Sequence, residues 1–262
     1  MNTSLLSPRV AIVTGAGRGL GRAMALGLAD AGYGVIATAA REGGEIAGLA
    51  DSSGGRIVPE IADVTNEEDC GNVVATALSR FGRLDILVNN AGRGMKYVSE
   101  RFLTEPTRFW ETSPEDWRLV IDANVNGPFL MARAAAPLMI RAGWGRIVNI
   151  SMNHETMRRR GFSPYGPSKA ALESETIIWA QDLAGTGVTV NALLPGGATL
   201  TGMIPDGVPD AIFATLLKPE IMVPPLMWLV SDAADGVTGK RFVAARWREA
   251  APADAMEGAG WG

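Results

Sequence analysis

The sequence predicts an α/β protein: a single doubly wound domain in which parallel strands alternate with helices through right-handed crossovers. Three observations carry that expectation. Short apolar runs rich in β-branched residues alternate with helix-periodic stretches along the whole chain. The first run ends in a glycine-rich turn that opens into a helix. The 262 residues, 47% of them hydrophobic, suffice for one sizeable core, and no repeat or low-complexity tract marks a second domain within 1–262.

Composition removes several function classes. A net charge of -4 gives no field that recruits nucleic acid or an anionic membrane. Cys70 is the single cysteine and no cysteine or histidine cluster has ligand spacing, so neither an intrachain disulfide nor a metal site is expected. Residues 1–8 lack an apolar core of signal-peptide length, and no run approaches the roughly 18 residues of a membrane span. The expectation is a cytoplasmic protein with no nucleic-acid or membrane partner.

The first strand, at 9–13, runs into Thr14-Gly15-Ala16-Gly17-Arg18-Gly19-Leu20-Gly21, and Leu20, Met24, Leu28 and Ala31 then recur at helical spacing until Gly32. Strand, glycine turn and helix in that order present backbone N–H groups and a positive helix end to a phosphate. A glycine pattern alone is weak; its place between strand and helix is what points to a nucleotide.

Residues 35–38 form the second strand, whose tip selects the dinucleotide. A carboxylate there would bond a ribose 2′-hydroxyl and repel a 2′-phosphate. This tip reads Ala37-Thr38-Ala39-Ala40-Arg41, with no acid, and Arg41 and Arg18 are placed to meet a 2′-phosphate. NADP(H) is therefore favoured over NAD(H), against the plainer reading that both arginines are solvated.

A short helix and glycine turn follow at 43–55, then a third strand at 56–61 broken by Pro59, and Asp63. Thr65 with Glu68 is a capping box for a helix reaching about Phe81. The fourth strand, 84–88, ends in Asn89-Asn90-Ala91-Gly92. Ser113-Pro114-Glu115-Asp116 opens a long helix with a cap, a proline at the first helical position and acids in the first turn. Within it Pro128 has no N–H for the carbonyl of Asn124, which is left free.

A fifth strand at 145–151 leads to a loop with the only histidine, His154, and the run Arg158-Arg159-Arg160; both are more often solvated than functional. The chemistry centres on the next helix. If it begins near Pro164, Tyr165 and Lys169 stand at i and i+4 on one face. A neighbouring cation favours phenolate and draws a tyrosine from about 10 toward neutral, where general acid–base work is efficient. The pair alone would mean little, since tyrosine and lysine four apart are common on surface helices. A sixth strand at 188–194 ends in Pro195-Gly196-Gly197-Ala198-Thr199, a helix runs from Pro224 to about Ser231, and a last strand occupies 241–245. The tail, 246–262, frays or extends over a neighbouring subunit.

Thr14-Gly15-(three residues)-Gly19-Leu20-Gly21, Asp63, Asn89-Asn90-Ala91-Gly92, Asn124, Tyr165-(three residues)-Lys169 and Pro195-Gly196 resemble, in order and approximate spacing, the short-chain dehydrogenase/reductase family, from about Val10 to about Ala245. The resemblance implies a Rossmann-type sheet of about seven parallel strands with helices on both faces, a nicotinamide cofactor, a small-molecule alcohol or carbonyl substrate, and a homotetramer or dimer. It implies that Gly15, Gly19 and Gly21, with Gly17, Arg18 and Leu20 in the same turn, line the pyrophosphate. Ala39 joins Arg41 at the ribose end, Asp63 and Val64 meet the adenine, and Asn90, Ala91 and Gly92 back the adenosine ribose. Tyr165 would be the general acid/base, Lys169 would hold the nicotinamide ribose, and Asn124 would hold a relay water through its backbone. Pro195 and Gly196 would contact the nicotinamide, with Thr199 or Thr201 on its carboxamide.

The chain departs from the family pattern in two places. Residues 92–124 run about ten longer than usual, and the excess at 93–112, with Tyr97, Phe102, Phe109 and Trp110, either shapes a substrate mouth or packs on itself. Residues 197–220 resemble a substrate lid, and their prolines and glycines forbid a continuous helix. The second departure is chemical. The family's serine, a donor to the substrate oxygen, falls about thirteen residues before the tyrosine. Met152 stands there, and methionine cannot donate. Ser151 swung into place is the first choice; Asn153 acting through its amide, or a weakened site, stays open. A weakened site would make the chain a nucleotide-binding regulatory or interaction protein on the same scaffold.

Overall fold

The computed structural model describes residues 8–41, 44–204 and 213–260. Strands and helices alternate as β1 (Val10–Val13), α1 (Gly19–Asp30), β2 (Gly34–Ala39), α2 (Gly44–Ser52), β3 (Ile57–Ile61), α3 (Glu67–Phe81) and β4 (Ile86–Asn89). There follow α4 (Pro114–Ile121), α5 (Gly127–Ala142), β5 (Gly145–Ile150), α6 (His154–Met157), α7 (Tyr165–Asp182), β6 (Val188–Leu194), α8 (Val223–Leu229), β7 (Lys240–Val243) and β8 (Met256–Gly258).

The strands form one sheet in the order β3-β2-β1-β4-β5-β6-β7-β8. Winding reverses between β1 and β4, and in an open α/β sheet the crevice beyond the strand ends at that point is where ligands bind. Successive residues of β1 point to opposite faces: Ala11 and Val13 pack with Met24 and Leu28 of α1 and Leu226 of α8, while Val10 and Ile12 pack with Val73 of α3 and Met131 and Met139 of α5. Both faces are therefore covered, as a parallel sheet requires. Among the described residues no helix is long and apolar enough to cross a membrane, and no group of His, Cys, Asp and Glu could hold a metal.

Four local expectations are corrected. The sheet has an eighth strand, because the tail turns back and β8 pairs antiparallel with β7, Phe242 opposite Met256. It covers an edge that β7 would otherwise leave unpaired. Pro59 does not break β3, which pairs with β2 through Ala37 and Pro59; β3 is the opposite edge strand, where a proline is tolerated. The cap of α3 is Asn66, not Thr65: its Oδ1 accepts from the backbone N–H of Glu68 at 2.8 Å, while the Thr65 hydroxyl turns to Asp63. Ser113 does cap the long helix, accepting from Asp116 N–H at 3.0 Å. That helix is interrupted by a π-helical turn at Asp122–Asn126, where Gly127 N–H reaches the Asp122 carbonyl and Pro128 withholds the next donor.

The 93–112 excess lies against the loop that precedes α7. Thr107 donates to the Gly161 carbonyl at 2.9 Å, and Phe102 meets Phe162 edge-on at 5.8 Å. In the lid region, Leu200 N–H and Leu217 N–H bond the Leu217 and Ala198 carbonyls, tying 198–200 to 217. Pro205, Gly207 and Pro209, on which the lid expectation leaned, lie outside the described residues.

Candidate active site

A cleft of about 900 Å³ opens beyond the carboxyl ends of the parallel strands. Its floor is the glycine turn after β1. Gly15 and Gly19 adopt φ of +63° and +56°, which side chains rarely allow. A Cβ on Gly15 would come within 2.8 Å of Ala91 Cα, and one on Gly21 within 2.3 Å of the Gly15 carbonyl. Asn90 holds the turn from the other side, donating through Nδ2 to the carbonyls of Thr14 at 2.8 Å and Gly15 at 3.0 Å. The helix α1 has no side-chain cap and no acid in its first turn. An uncapped positive helix end over a glycine cradle fits the pyrophosphate of a dinucleotide.

Gly15, Gly17, Arg18, Gly19, Leu20, Ala39, Arg41, Asp63, Val64, Asn90, Ala91, Gly92, Ser151, Tyr165, Lys169, Pro195, Gly196 and Thr199 all line this one cleft. Two expected residues stand behind it. Gly21 lets α1 approach the turn. Asn124 is fully buried, its Oδ1 accepting from Arg93 N–H at 2.7 Å and its Nδ2 donating to the Arg93 carbonyl and to Ser168 Oγ at 2.9 Å each. Its side chain thus ties the start of the excess segment to α7.

At the tip of β2, Ala39, Ala40 and exposed Arg41 border the cleft together with exposed Arg18. Thr38, which sequence reasoning passed over, lines it as well, with a buried hydroxyl that has no hydrogen-bond partner among the described residues. A polar residue interrupting an apolar strand was the available signal. Asp63 is oriented by Thr65, whose N–H and hydroxyl donate to its Oδ1 at 2.9 and 2.8 Å. Thr199 and Thr201 both border the cleft, so the choice between them is not made by position.

Tyr165 and Lys169 sit in the first turns of α7, as expected, but the electrostatics differ. Burial pushes the Tyr165 phenol up to about 12. Burial pulls the Lys169 ammonium down to about 8, with Glu173 resisting. Lys169 Nζ donates to the Ile150 carbonyl at 2.8 Å. The expected cation-driven lowering of Tyr165 is thus outweighed by removal of both groups from water.

The end of β5 also differs from expectation. Ser151, the first choice as donor to a substrate oxygen, donates its hydroxyl hydrogen bond to Glu173 Oε1 at 2.5 Å. Met152 is buried with Met95, Met157 and Phe162, and its carbonyl accepts from Arg241 Nη2 at 2.5 Å. Asn153 lines the cleft and makes no side-chain hydrogen bond among the described residues. His154 Nε2 lies 3.1 Å from Glu173 Oε2 and does not border the cleft. Arg159 does border it, with its guanidinium 5.3 Å from the Phe162 ring. Glu173 and Arg241 were missed in the sequence, although Glu173 repeats the four-residue step from Tyr165 to Lys169.

A glycine cradle at the switch point of a parallel sheet, facing a half-buried tyrosine and a buried lysine on one helix, defines a nucleotide-binding α/β protein of Rossmann type. The model of the short chain dehydrogenase family matches residues 9–210. A 3-oxoacyl-[acyl-carrier-protein] reductase of Synechocystis is 34% identical over 246 residues, covering 90% of this chain and 95% of its own length. The crystal structure of a 3-ketoacyl-(acyl-carrier-protein) reductase from Brucella melitensis complexed with NADH is similar with a TM-score of 0.76 and 31% identity, over 88% of this chain and 93% of that one. Actinorhodin polyketide ketoreductase with NADPH gives a TM-score of 0.77 and 28% identity, again over 88% and 93%. The chain belongs to the short-chain dehydrogenase/reductase family and is an oxidoreductase of that family.

Proposed function

We propose that this protein interconverts a secondary alcohol and a ketone with NADP(H) in preference to NAD(H), and that it works chiefly as a ketone reductase. The observation that carries the reading is the meeting of Tyr165 and Lys169 with the glycine cradle in one cleft. A nicotinamide dinucleotide bound there supplies the hydride exchanged with the substrate carbon. Gly15, Gly17, Gly19 and Leu20 hold its pyrophosphate, Asp63 and Val64 the adenine, Asn90, Ala91 and Gly92 the ribose, and Pro195, Gly196 and Thr199 the nicotinamide end.

With its phenol pushed up to about 12, Tyr165 keeps its proton through the neutral range and is set to donate it to a carbonyl oxygen. Lys169 places a cation beside that transfer, and the Asn124 backbone holds the water that resupplies the proton. The second donor to the substrate oxygen is the Asn153 amide, since the Ser151 hydroxyl is engaged by Glu173. Arg18 and Arg41, with no acid at the tip of β2, support the NADP(H) preference. Exposed Trp117, Phe129, Ile140 and Ile178 on α4, α5 and α7 support a homotetramer or dimer through these helices.

The test is oxidation of NADPH by a panel of keto esters, keto-thioesters and cyclic ketones. Wild type turns over at least one of them, and Tyr165→Phe lowers kcat about 10²- to 10⁴-fold while still binding NADPH. Tight NADPH binding with no turnover across the panel would favour the rival, a nucleotide-binding regulatory protein, to which the engaged Ser151 hydroxyl already gives some support.

A further inference from the structure

Behind the turn at Ser151 and Met152 lies a buried ion pair that the chemistry above does not require. Glu173 stands one helical turn beyond Lys169 and two beyond Tyr165, so the three residues share one face of α7. Its Oε1 accepts from the Ser151 hydroxyl at 2.5 Å and from Arg241 Nε at 2.8 Å. Its Oε2 faces His154 Nε2 at 3.1 Å. Arg241, from β7, uses its two other nitrogens on the Met152 carbonyl and on Glu257 of β8, each at 2.5 Å. The paired side chains are only 3% and 2% exposed.

Removing two ions from water costs several kcal/mol each, and apolar residues of similar volume are often at least as stabilising. Stability alone is therefore a poor reason for this pair. Its bonds point to another. They end on consecutive residues of the turn after β5 that lines the cleft, and Lys169 bonds the carbonyl of the residue just before them, Ile150. The turn is the place where the family's serine is missing, and here it is pinned from behind by a fork that a lysine could not provide.

We propose that Glu173 and Arg241 are positioning residues of the reaction centre, which lock the Ser151–Met152 turn against α7 and set a balanced counter-charge behind Lys169. The inference rests on the reading of Tyr165 and Lys169 as the reacting pair. Glu173, on the same helix as Lys169, faces His154 of α6 and pairs with Arg241 of β7, which also meets Glu257 of β8; Tyr165 lies one turn before Lys169. Glu173 holds the Lys169 ammonium against burial. As the cation paired with Glu173, Arg241 opposes that support by Coulomb's law. Deleting the two charges should therefore move Lys169 in opposite directions, which loss of packing alone would not do.

The chain has four lysines, Lys96, Lys169, Lys218 and Lys240. Lysine labelled at Cε and Nζ gives four NMR signals, assigned by single Lys→Arg changes at the other three positions and followed through a pH titration. Glu173→Gln should lower the Lys169 midpoint by roughly one unit, and Arg241→Met should raise it by a similar amount. Arg241→Lys, which keeps the charge without the fork, should return the midpoint toward wild type but leave kcat depressed with KM little changed. No movement in Glu173→Gln, or movement in the same direction in both charge deletions, overturns the proposal. If Arg241→Met does not fold, Glu173→Gln decides alone. The titration needs no substrate: opposite shifts beside a fully active Tyr165→Phe would refute the reaction assignment and leave the charge arrangement standing.

Discussion

The two ends of the cleft are made of different materials. At the proposed dinucleotide end the floor is backbone, the turn of Gly15 to Gly19 and the first turn of α1, held from behind by the Asn90 side chain on the carbonyls of Thr14 and Gly15. At the proposed substrate end the walls are side chains on irregular segments, with Met95, Tyr97 and Phe102 from the excess segment, Met152 and Asn153 after β5, Phe162 before α7 and Met203 after β6. A backbone site tolerates change in its surroundings as long as the glycines permit the turn. A side-chain site changes when a single residue rotates away.

The largest effect that separates the two ends lies at the end of β5. Asn153→Ala should lower kcat about 10²- to 10³-fold, the usual cost of losing one preorganised donor to a developing oxyanion. Ser151→Ala should cost less than about 10-fold, because that hydroxyl serves Glu173 and not the substrate. Steady-state kinetics on the best ketone of the panel measures both. The reverse ranking would mean that Ser151 rotates toward the cleft when substrate binds, and that the substrate end is remodelled rather than preformed.

At the other end, Arg41→Ala should weaken NADPH binding by about 10- to 100-fold, the worth of one charge-assisted contact to a phosphate. NADH affinity should stay within about 2-fold, since the proposed role of the guanidinium is contact with the 2′-phosphate alone. Fluorescence titration with the two reduced dinucleotides reads the ratio directly. Equal loss for both would place Arg41 on the shared part of the cofactor, and the backbone alone would then define this half.

These materials also explain what was legible in the sequence. Gly15, Gly19 and Gly21 announce themselves because no other residue fits their conformations or contacts, and β1, β2, β4, β5 and β6 announce themselves by apolar runs buried on both faces. Asn66 took the cap expected of Thr65 because both residue types can cap, and only tertiary placement turned Thr65 toward Asp63. β8 was hidden because a three-residue edge pairing in an alanine- and glycine-rich tail has no periodicity to show. The Glu173–Arg241 pair was hidden for another reason. Its partners lie 68 residues apart, and nothing local distinguishes a buried charge from a solvated one.

The two ends of the cleft meet at Lys169, and its burial has a consequence for stability that carries the smallest of these effects. Its folded-state value of about 8 lies below the unfolded value of 10.5, so between those limits the unfolded chain binds more protons than the native one. Stability contributed by Lys169 therefore rises as pH increases through this window and is lost again as pH falls through about 8. The limiting slope is about 1.4 kcal/mol per pH unit. Cys70, pushed up by burial to about 11, and Tyr165, pushed up to about 12, act in the opposite sense at higher pH, because the native state then keeps protons that the unfolded chain releases. Wild type alone would blur these contributions, so the useful quantity is its difference from Lys169→Met. In urea unfolding at pH 7, 8, 9 and 10, the variant's stability advantage should be largest at pH 7 and shrink by about 1 kcal/mol per unit above pH 8. A constant difference would show that Lys169 reaches water in the native state, and the cation beside Tyr165 would then be an ordinary surface lysine.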